Sequence, residues 1–310
     1  MQFGVFLPTM PYWYRTSTVR TAVEEVARAA EALGFASVWA NDAVIHPPGP
    51  EFQHAEGAIE PFVTLASLIH LVPRLHLGVS VLVLPQRNAI IVAKQAAALD
   101  ILSQGRFILG VGVGHREEEF AFLGADYARR GAIMDESIAL LRTLWRAPRV
   151  HFQGLTYSLT DAVIEPKPLR GDLPIWVGGR TAAAARRAAQ LGDAWLPNSI
   201  GDDVGLSAFR AGVATIQAHA PRGRRPLIAG WFAIRVDEAG KQTPVDDPML
   251  ARMVSRGIAG TPETIAERLE TYRQAGLEYV VCAFAGERVD NMVQQMQVFA
   301  EQVMPQFVDA

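Results

Sequence analysis

The stretch from Leu75 to Gly114, LHLGVSVLVLPQRNAIIVAKQAAALDILSQGRFILGVGVG, decides the fold of this chain. It begins with Leu75–Leu84, a mostly apolar run with β-branched residues that predicts a strand, and Pro85 ends this strand. It closes with Phe107–Gly112, a second apolar run that leads into glycines. Neither run alternates polar and apolar residues, which is typical of parallel strands buried on both faces of a sheet.

The residues between these two strands predict a helix. Apolar side chains recur at helical spacing from Asn88 to Gln104, with Asn88 placed as the N-cap and Gly105 just beyond the last turn. Strand, helix and strand together form one βαβ unit. Active sites of α/β folds lie at the carboxyl ends of such strands, so we expect the functional residues in the loops that follow them.

The alternation of strands and helices continues through all 310 residues, and no linker divides them. Six further core strands are predicted, at Gln2–Leu7, Ser37–Ala40, Pro174–Val177, Asp193–Leu196, Pro226–Val236 and Glu278–Phe284. Eight strands separated by helices favour a single-domain (β/α)8 TIM barrel covering residues 1–310, with a doubly wound sheet as the alternative. A hairpin is predicted over Val150–Leu159 and a mobile loop over Lys241–Pro248.

Composition restricts the class of protein. The net charge of −3 is too close to neutral to indicate a nucleic-acid partner. The single cysteine, Cys282, lies in an apolar strand, which excludes an internal disulfide, favours an inert thiol and indicates a reducing compartment. We see no signal peptide and no apolar run of the roughly 20 residues that a membrane span needs. A cytoplasmic protein is expected.

The glycine run Gly110–Gly114 could let a planar ligand lie against the backbone, or it could be only a tight turn. It is not a dinucleotide fingerprint, because His115 or Glu117 stands where the third glycine would be.

A second glycine motif, Gly178, Gly179, Arg180 and Thr181, stands between a core strand and a helix. Its backbone N–H groups and the helix N-terminus could hold a phosphate, with Arg180 and Thr181 adding donors. The alternative is an ordinary glycine-rich turn.

Candidates for proton transfer lie at the same carboxyl edge. Asp42 follows the second strand and could accept a hydrogen bond from a bound ring, or it could cap the next segment. His46, His54 and His115 fall in loops of this edge, where a histidine either transfers protons or is a solvated bystander. Metal, P-loop and serine-hydrolase motifs are not found, so no metal site is expected.

The chain resembles the luciferase-like monooxygenase superfamily, specifically its coenzyme F420-dependent oxidoreductase branch. The resemblance runs nearly end to end and is carried by Phe3–Pro8, Ala32–Trp39, Leu77–Val81, Ala93–Gln95, Gly105–Phe107, Gly110–Gly114, Pro174–Gly179, Gly192–Trp195 and Gly260–Glu263. It implies a (β/α)8 barrel that binds a flavin or deazaflavin at the carboxyl end of its strands.

The resemblance also implies roles for individual residues. The Ser80–Val81 peptide would be a non-prolyl cis bulge behind the central ring, Gly112 and its neighbours would flank the ring, and Gly178–Thr181 would hold the cofactor phosphate. Asp42 matches an acidic residue that relatives follow with histidine near the reactive carbon, but here Ala43 follows. We therefore expect His115 or His46 to supply the proton.

The leading hypothesis is an oxidoreductase that uses reduced coenzyme F420 to transfer hydride to an electron-poor small organic substrate. An arginine- and alanine-rich composition, typical of actinobacteria, favours F420 over FMN. The alternative is a two-component FMN-dependent monooxygenase supplied by a flavin reductase; a non-catalytic flavin-binding homologue, suggested by Ala43, is the third. Tyr12, Trp13 and Tyr14 could cover the substrate or be surface aromatics, and a homodimer is expected.

Overall fold

The computed structural model describes residues 1–10, 17–45, 58–198, 201–237, 248–286 and 288–308. Its strands are, in chain order, β1 (Gln2–Phe6), β2 (Ser37–Ala40), β3 (His76–Val79), β4 (Leu82–Val83), β5 (Phe107–Gly112), β6 (Val150–Gln153), β7 (Ser158–Ala162), β8 (Ile175–Gly178), β9 (Ala194–Leu196), β10 (Leu227–Val236), β11 (Ile258–Gly260) and β12 (Tyr279–Phe284).

Its helices are α1 (Val19–Ala32), α2 (Pro61–Leu68), α3 (Ala89–Leu102), α4 (Glu117–Phe122), α5 (Arg130–Arg146), α6 (Ala182–Leu191), α7 (Asp203–His219), α8 (Pro248–Arg256), α9 (Pro262–Gln274) and α10 (Val289–Gln302). The Asn88 side chain caps α3 by accepting hydrogen bonds from the N–H groups of Ile90 and Ile91, as predicted. None of the helices in the described ranges is long and apolar enough to cross a membrane.

Eight parallel strands close into a barrel. Their order is β1, β2, β3, β5, β8, β9, β10 and β12, and β12 pairs again with β1. The predicted (β/α)8 barrel is confirmed, and all eight predicted core strands are present. The predicted hairpin is also present, as the antiparallel pair β6 and β7.

The third predicted strand differs from the sequence expectation. Leu75–Leu84 forms two short strands, β3 and β4, separated by Ser80–Val81, whose peptide bond is cis as expected from the resemblance. After the bulge, β4 continues the pairing with β5. Sequence reasoning also missed α4, α8 and β11. Strand β11 pairs with the carboxyl-terminal end of β10.

Aromatic side chains fill the barrel interior toward the amino-terminal ends of the strands. The Trp39 and Trp176 rings lie 4.8 Å apart, and the Trp176 and Tyr279 rings 5.0 Å apart. A Cβ at Gly78 would lie 2.2 Å from the Trp39 ring, so glycine makes room for the indole. Burial raises the pKa of Tyr279 to about 12, and its hydroxyl is hydrogen-bonded to Ser37 at 2.6 Å. This aromatic layer separates the carboxyl edge of the barrel from a cavity of about 350 Å³ at the amino ends of the strands, which is lined partly by His76, Trp176 and Tyr279.

The β6–β7 hairpin is held to the barrel by Glu136 of α5. Its Oε1 accepts hydrogen bonds from the N–H groups of Thr156 and Tyr157, each at 2.9 Å. The Tyr157 hydroxyl in turn accepts a hydrogen bond from the N–H of Ala89, at the start of α3. Burial of the Glu136 carboxyl acts to raise its pKa, but the backbone N–H groups outweigh this and leave the pKa below its ordinary value.

Replacing Glu136 with glutamine should therefore lower the free energy of unfolding by about 1 kcal/mol near neutral pH, since a charged acceptor of backbone N–H groups is lost. The folded pKa lies below the unfolded value, so this contribution is present above about pH 4.5 and is lost as the pH falls through the folded pKa. Urea unfolding of both proteins at about pH 7 and about pH 3 measures the difference. Glu25→Gln, an exposed position on α1, is the control. Equal differences at both pH values would contradict the role of the Glu136 charge.

Candidate active site

The carboxyl edge of the barrel brings together most of the residues that sequence reasoning singled out. Asp42 follows β2, Ser80 and Val81 form the bulge after β3, and Gly112 ends β5. The Gly178–Thr181 motif leads from β8 into α6. Because all these strands are parallel, their ends form one rim, and the residues share one mouth.

The centre of this mouth is a platform made by Val81. A Cβ at Gly112 would lie 2.6 Å from Val81 Cγ2, and a Cβ at Gly178 would lie 2.8 Å from Val81 Cγ1. A Cβ at Gly110 would lie 3.4 Å from the same Cγ1. The glycines therefore accommodate the Val81 side chain, and a planar ligand entering the mouth meets Val81 rather than bare glycine backbone.

Asp42 is buried in an ion pair. Its side chain is 1% exposed, and Arg87 Nη2 donates to its Oδ1 at 2.5 Å. The N–H of Val83 donates to its Oδ2 at 2.9 Å, and Arg87 also lies 3.7 Å from Glu60. The carboxylate thus ties the end of β2 to the strand that follows the cis bulge. Sequence reasoning missed Arg87, because nothing in the sequence joins two residues 45 positions apart.

His115 lies at the exposed end of the β5 loop, directly after Gly114, whose φ is +74°. Partial burial of the imidazole lowers its pKa, the positive charge of Arg116 lowers it further, and Glu119 opposes both. The ring is therefore neutral at neutral pH, and a protonated His115 is a stronger acid than ordinary histidine. The proposed alternatives His46 and His54, and the aromatic residues Tyr12, Trp13 and Tyr14, lie outside the described residues.

The Gly178–Thr181 motif has the features of an anion site. Gly179 has a φ of +116°, and its carbonyl accepts a hydrogen bond from Trp195 Nε1 at 2.9 Å, which fixes the turn. Thr181 is the N-cap of α6: its hydroxyl oxygen accepts from the Ala184 N–H, which leaves the hydroxyl proton available. Arg180 is exposed beside a small cavity of about 70 Å³ lined partly by Trp195.

Two N–H donors of the mouth have no hydrogen-bond partner within the described part of the chain. They are Nδ2 of Asn41, at the end of β2, and Nε1 of Trp231, on β10. Trp231 packs edge-on against Phe6 of β1, with ring centroids 5.7 Å apart. No sequence motif marks either donor, although alternation along a recognised strand could have placed both on the inner face.

These features fit a flat cofactor that carries a phosphate. The Val81 platform offers an apolar surface for a ring, the unpartnered donors suit carbonyl oxygens, and the N-terminus of α6 with Arg180 suits the phosphate.

Comparisons with known proteins identify relatives of this chain. The F420-dependent glucose-6-phosphate dehydrogenase of Amycolatopsis mediterranei is 34% identical over 184 residues, which cover 58% of this chain and 54% of that enzyme. The phthiodiolone/phenolphthiodiolone dimycocerosates ketoreductase of Mycobacterium kansasii is 31% identical over 210 residues, 65% of this chain and 56% of that enzyme. The matches thus span little more than half of either relative.

Among solved structures, the monooxygenase RslO1 from Streptomyces bottropensis superposes with a TM-score of 0.84 at 20% identity, covering 99% of this chain and 100% of that one. Likeness at this identity shows the fold. The family model described as luciferase-like monooxygenase matches residues 1–235. The chain belongs to the luciferase-like monooxygenase family of oxidoreductases and monooxygenases.

Proposed function

We propose that this protein is an oxidoreductase that uses reduced coenzyme F420 to reduce an electron-poor C=C, C=O or C=N group of a small organic substrate. The observation that carries the proposal is the combined site: the Val81 platform packed against three glycines, and the N-terminus of α6 with Arg180 on the same rim. Sequence similarity to an F420-dependent dehydrogenase and to a ketoreductase supports both the deazaflavin and a carbonyl-type substrate.

The chain's own residues would bind and orient the cofactor and protonate the substrate. Val81 would support the ring, with Ser80 in the same bulge and Gly112 below it, and Gly178–Thr181 would hold the phosphate through N–H groups, Arg180 and the Thr181 hydroxyl. When bound, the reduced coenzyme supplies the hydride. His115 would give a proton to the substrate from its imidazolium form. Because its pKa is lowered, this form is the minor one at neutral pH and its share rises as the pH falls. His46 is the second candidate for that role, and Asp42 would act through the ion pair with Arg87 that holds the bulge.

The alternative proposal is a two-component FMN-dependent monooxygenase that receives reduced flavin from a partner reductase. The same platform and phosphate site suit FMN, and the fold likeness to RslO1 is compatible with it. A non-catalytic flavin-binding protein is the third candidate, supported by Ala43 in the place of a histidine.

Parallel fluorescence titrations of the purified protein with coenzyme F420 and with FMN test these proposals. We expect micromolar or tighter binding of F420 and much weaker binding of FMN. The reverse preference would overturn the F420 proposal in favour of the monooxygenase, and binding of neither would overturn both. Bound cofactor with no turnover across carbonyl, enone and imine panels would favour the non-catalytic protein.

Replacing Arg180 with alanine should weaken cofactor binding about tenfold, since one charge-assisted contact to the phosphate is lost from an exposed site. The difference in cofactor affinity between the parent protein and the variant should become smaller as salt is added, because salt screens this contact in the parent protein. Titration at two ionic strengths measures both effects. Arg186→Ala, an exposed arginine on the same α6 helix, is the matched control. Equal effects of the two substitutions would contradict a phosphate contact at Arg180.

We also propose that the protein is a homodimer in a cytoplasmic setting. Exposed apolar side chains on the contacting helices α2 and α3 support association: Val63 is 70%, Ile91 57% and Leu102 60% exposed. Light scattering of the purified protein gives the mass, and a monomer at micromolar concentration would contradict the dimer.

A further inference from the structure

We propose that Asn41 is the hydrogen-bond donor that fixes the bound cofactor ring, by giving its free amide N–H to a ring carbonyl oxygen. The inference rests on the proposed function and assigns one residue of this chain to one atom type of the ligand. It starts from a buried polar group that the folded protein leaves unused.

Asn41 is 6% exposed, and its Nδ2 has no hydrogen-bond partner within the described ranges. Buried polar groups are nearly always paired, so an amide left over in this way calls for a partner that the protein itself does not provide. The other end of the amide is used, because Oδ1 accepts a hydrogen bond from the Thr9 hydroxyl.

The contact with Thr9 holds whichever way the amide is oriented. The Thr9 hydroxyl can donate or accept, so turning the amide over would pair the nitrogen and leave the oxygen unpartnered. One end of the amide is therefore without a partner in both orientations. A ring carbonyl selects the orientation in which Nδ2 is the free end.

Asn41 faces the mouth of the barrel. Ser37 and Trp39, the residues of β2 that precede it at spacings of two, both point into the barrel interior, where they contact Tyr279. Alternation along the strand puts Asn41 on the same inner face, one step closer to the carboxyl edge.

The position of Asn41 also suits the edge of a ring that lies on Val81. The neighbouring carbonyl of Ala40 accepts a hydrogen bond from the Ser80 N–H at 2.8 Å, so β2 and the cis bulge are adjacent at this level. A ring resting on Val81 would therefore lie beside the end of β2. Flavins and deazaflavins share two pyrimidine carbonyl oxygens, and either oxygen is an acceptor for an amide N–H.

The test compares Asn41→Leu with the parent protein, because leucine keeps the size of the side chain and removes its polar atoms. We expect the dissociation constant of whichever cofactor the parent binds, F420 or FMN, to rise tenfold or more. The melting temperature without cofactor should fall only a little, since removal of the unpartnered amide N–H offsets the loss of the hydrogen bond to the buried Thr9 hydroxyl. Asn41→Ala is the second variant and should show the same loss of affinity if leucine does not fit.

Ser137→Ala is the matched control. Ser137 lies on α5, one of the helices outside the barrel strands, is fully buried and also has a side-chain oxygen without a partner among the described residues. We expect it to leave cofactor affinity unchanged. Unchanged affinity in both Asn41 variants would overturn the inference while leaving the proposed function standing. If the parent protein bound neither cofactor, the proposed function would fail, and the inference would fail with it.

Discussion

Replacing Arg87 with alanine should lower the free energy of unfolding by about 3 kcal/mol, because it leaves the Asp42 carboxylate buried without its counter-charge. The Asp42 side chain is 1% exposed and that of Arg87 19%, so the carboxylate depends on the guanidinium for most of its stabilisation. The N–H of Val83 would be the remaining donor to this carboxylate. Urea unfolding followed by circular dichroism measures the change.

The same substitution should weaken cofactor binding, because Asp42 and Arg87 hold the chain on both sides of the Val81 platform. Asp42 is bonded to Val83 two residues after the bulge, and Arg87 begins the turn into α3. The double variant Asp42→Asn with Arg87→Met should recover much of the lost stability, since the uncompensated charge is gone.

The control for this prediction is Arg20→Ala on α1, which removes an exposed ion pair with Glu24. Exposed pairs contribute little to stability, so this variant should unfold at nearly the parent concentration of urea. If Arg87→Ala were no more destabilising than Arg20→Ala, the ion pair with Asp42 would not hold the rim together.

The sequence predicted the barrel well, because the barrel strands are buried on both faces, and helix N-caps and glycines mark the ends of the elements. Asn88 before α3 and the continuous apolar run of β5 are local signals, and local signals suffice to place elements in order. The elements that were missed have weaker signals. Strand β11 has three residues and pairs with β10 in the described part of the chain, and helix α4 has six residues in a polar stretch.

The site was predicted only in part, since its contacts join residues that are distant in the sequence. The glycines were recognised, and the resemblance placed the Ser80–Val81 bulge behind the ring, but the close fit of the Val81 side chain against Gly112 and Gly178 is visible only in the folded chain. Asp42 was recognised, but its partner Arg87 was not, because pairing across 45 residues depends on the closed barrel. The unpartnered amide N–H of Asn41 also has no signature in the sequence, because it results from packing among residues of different strands.

Replacing Gly110 with alanine should be the most damaging single change at this rim. A Cβ at Gly110 would lie 1.9 Å from the carbonyl oxygen of Val79, far inside any contact that atoms tolerate. The obstacle is backbone on β3, directly beside β5, so relief requires these paired strands to separate. We expect little soluble protein, or a loss of more than about 3 kcal/mol in the free energy of unfolding.

Two other glycines make this prediction specific. At Gly178 the obstacle is the Val81 side chain, which can rotate, so Gly178→Ala should fold but push Val81 into the mouth and weaken cofactor binding. At Gly131, within α5, the nearest atom would be 3.6 Å from the new Cβ, so Gly131→Ala should be neutral or stabilise the helix by about 0.5–1 kcal/mol. Urea midpoints and cofactor titrations of the three variants separate these outcomes. If the Gly110→Ala protein were as stable as Gly131→Ala, β3 and β5 could separate at little cost. The tight packing of the bulge, the glycines and Val81 would then not determine the shape of the mouth.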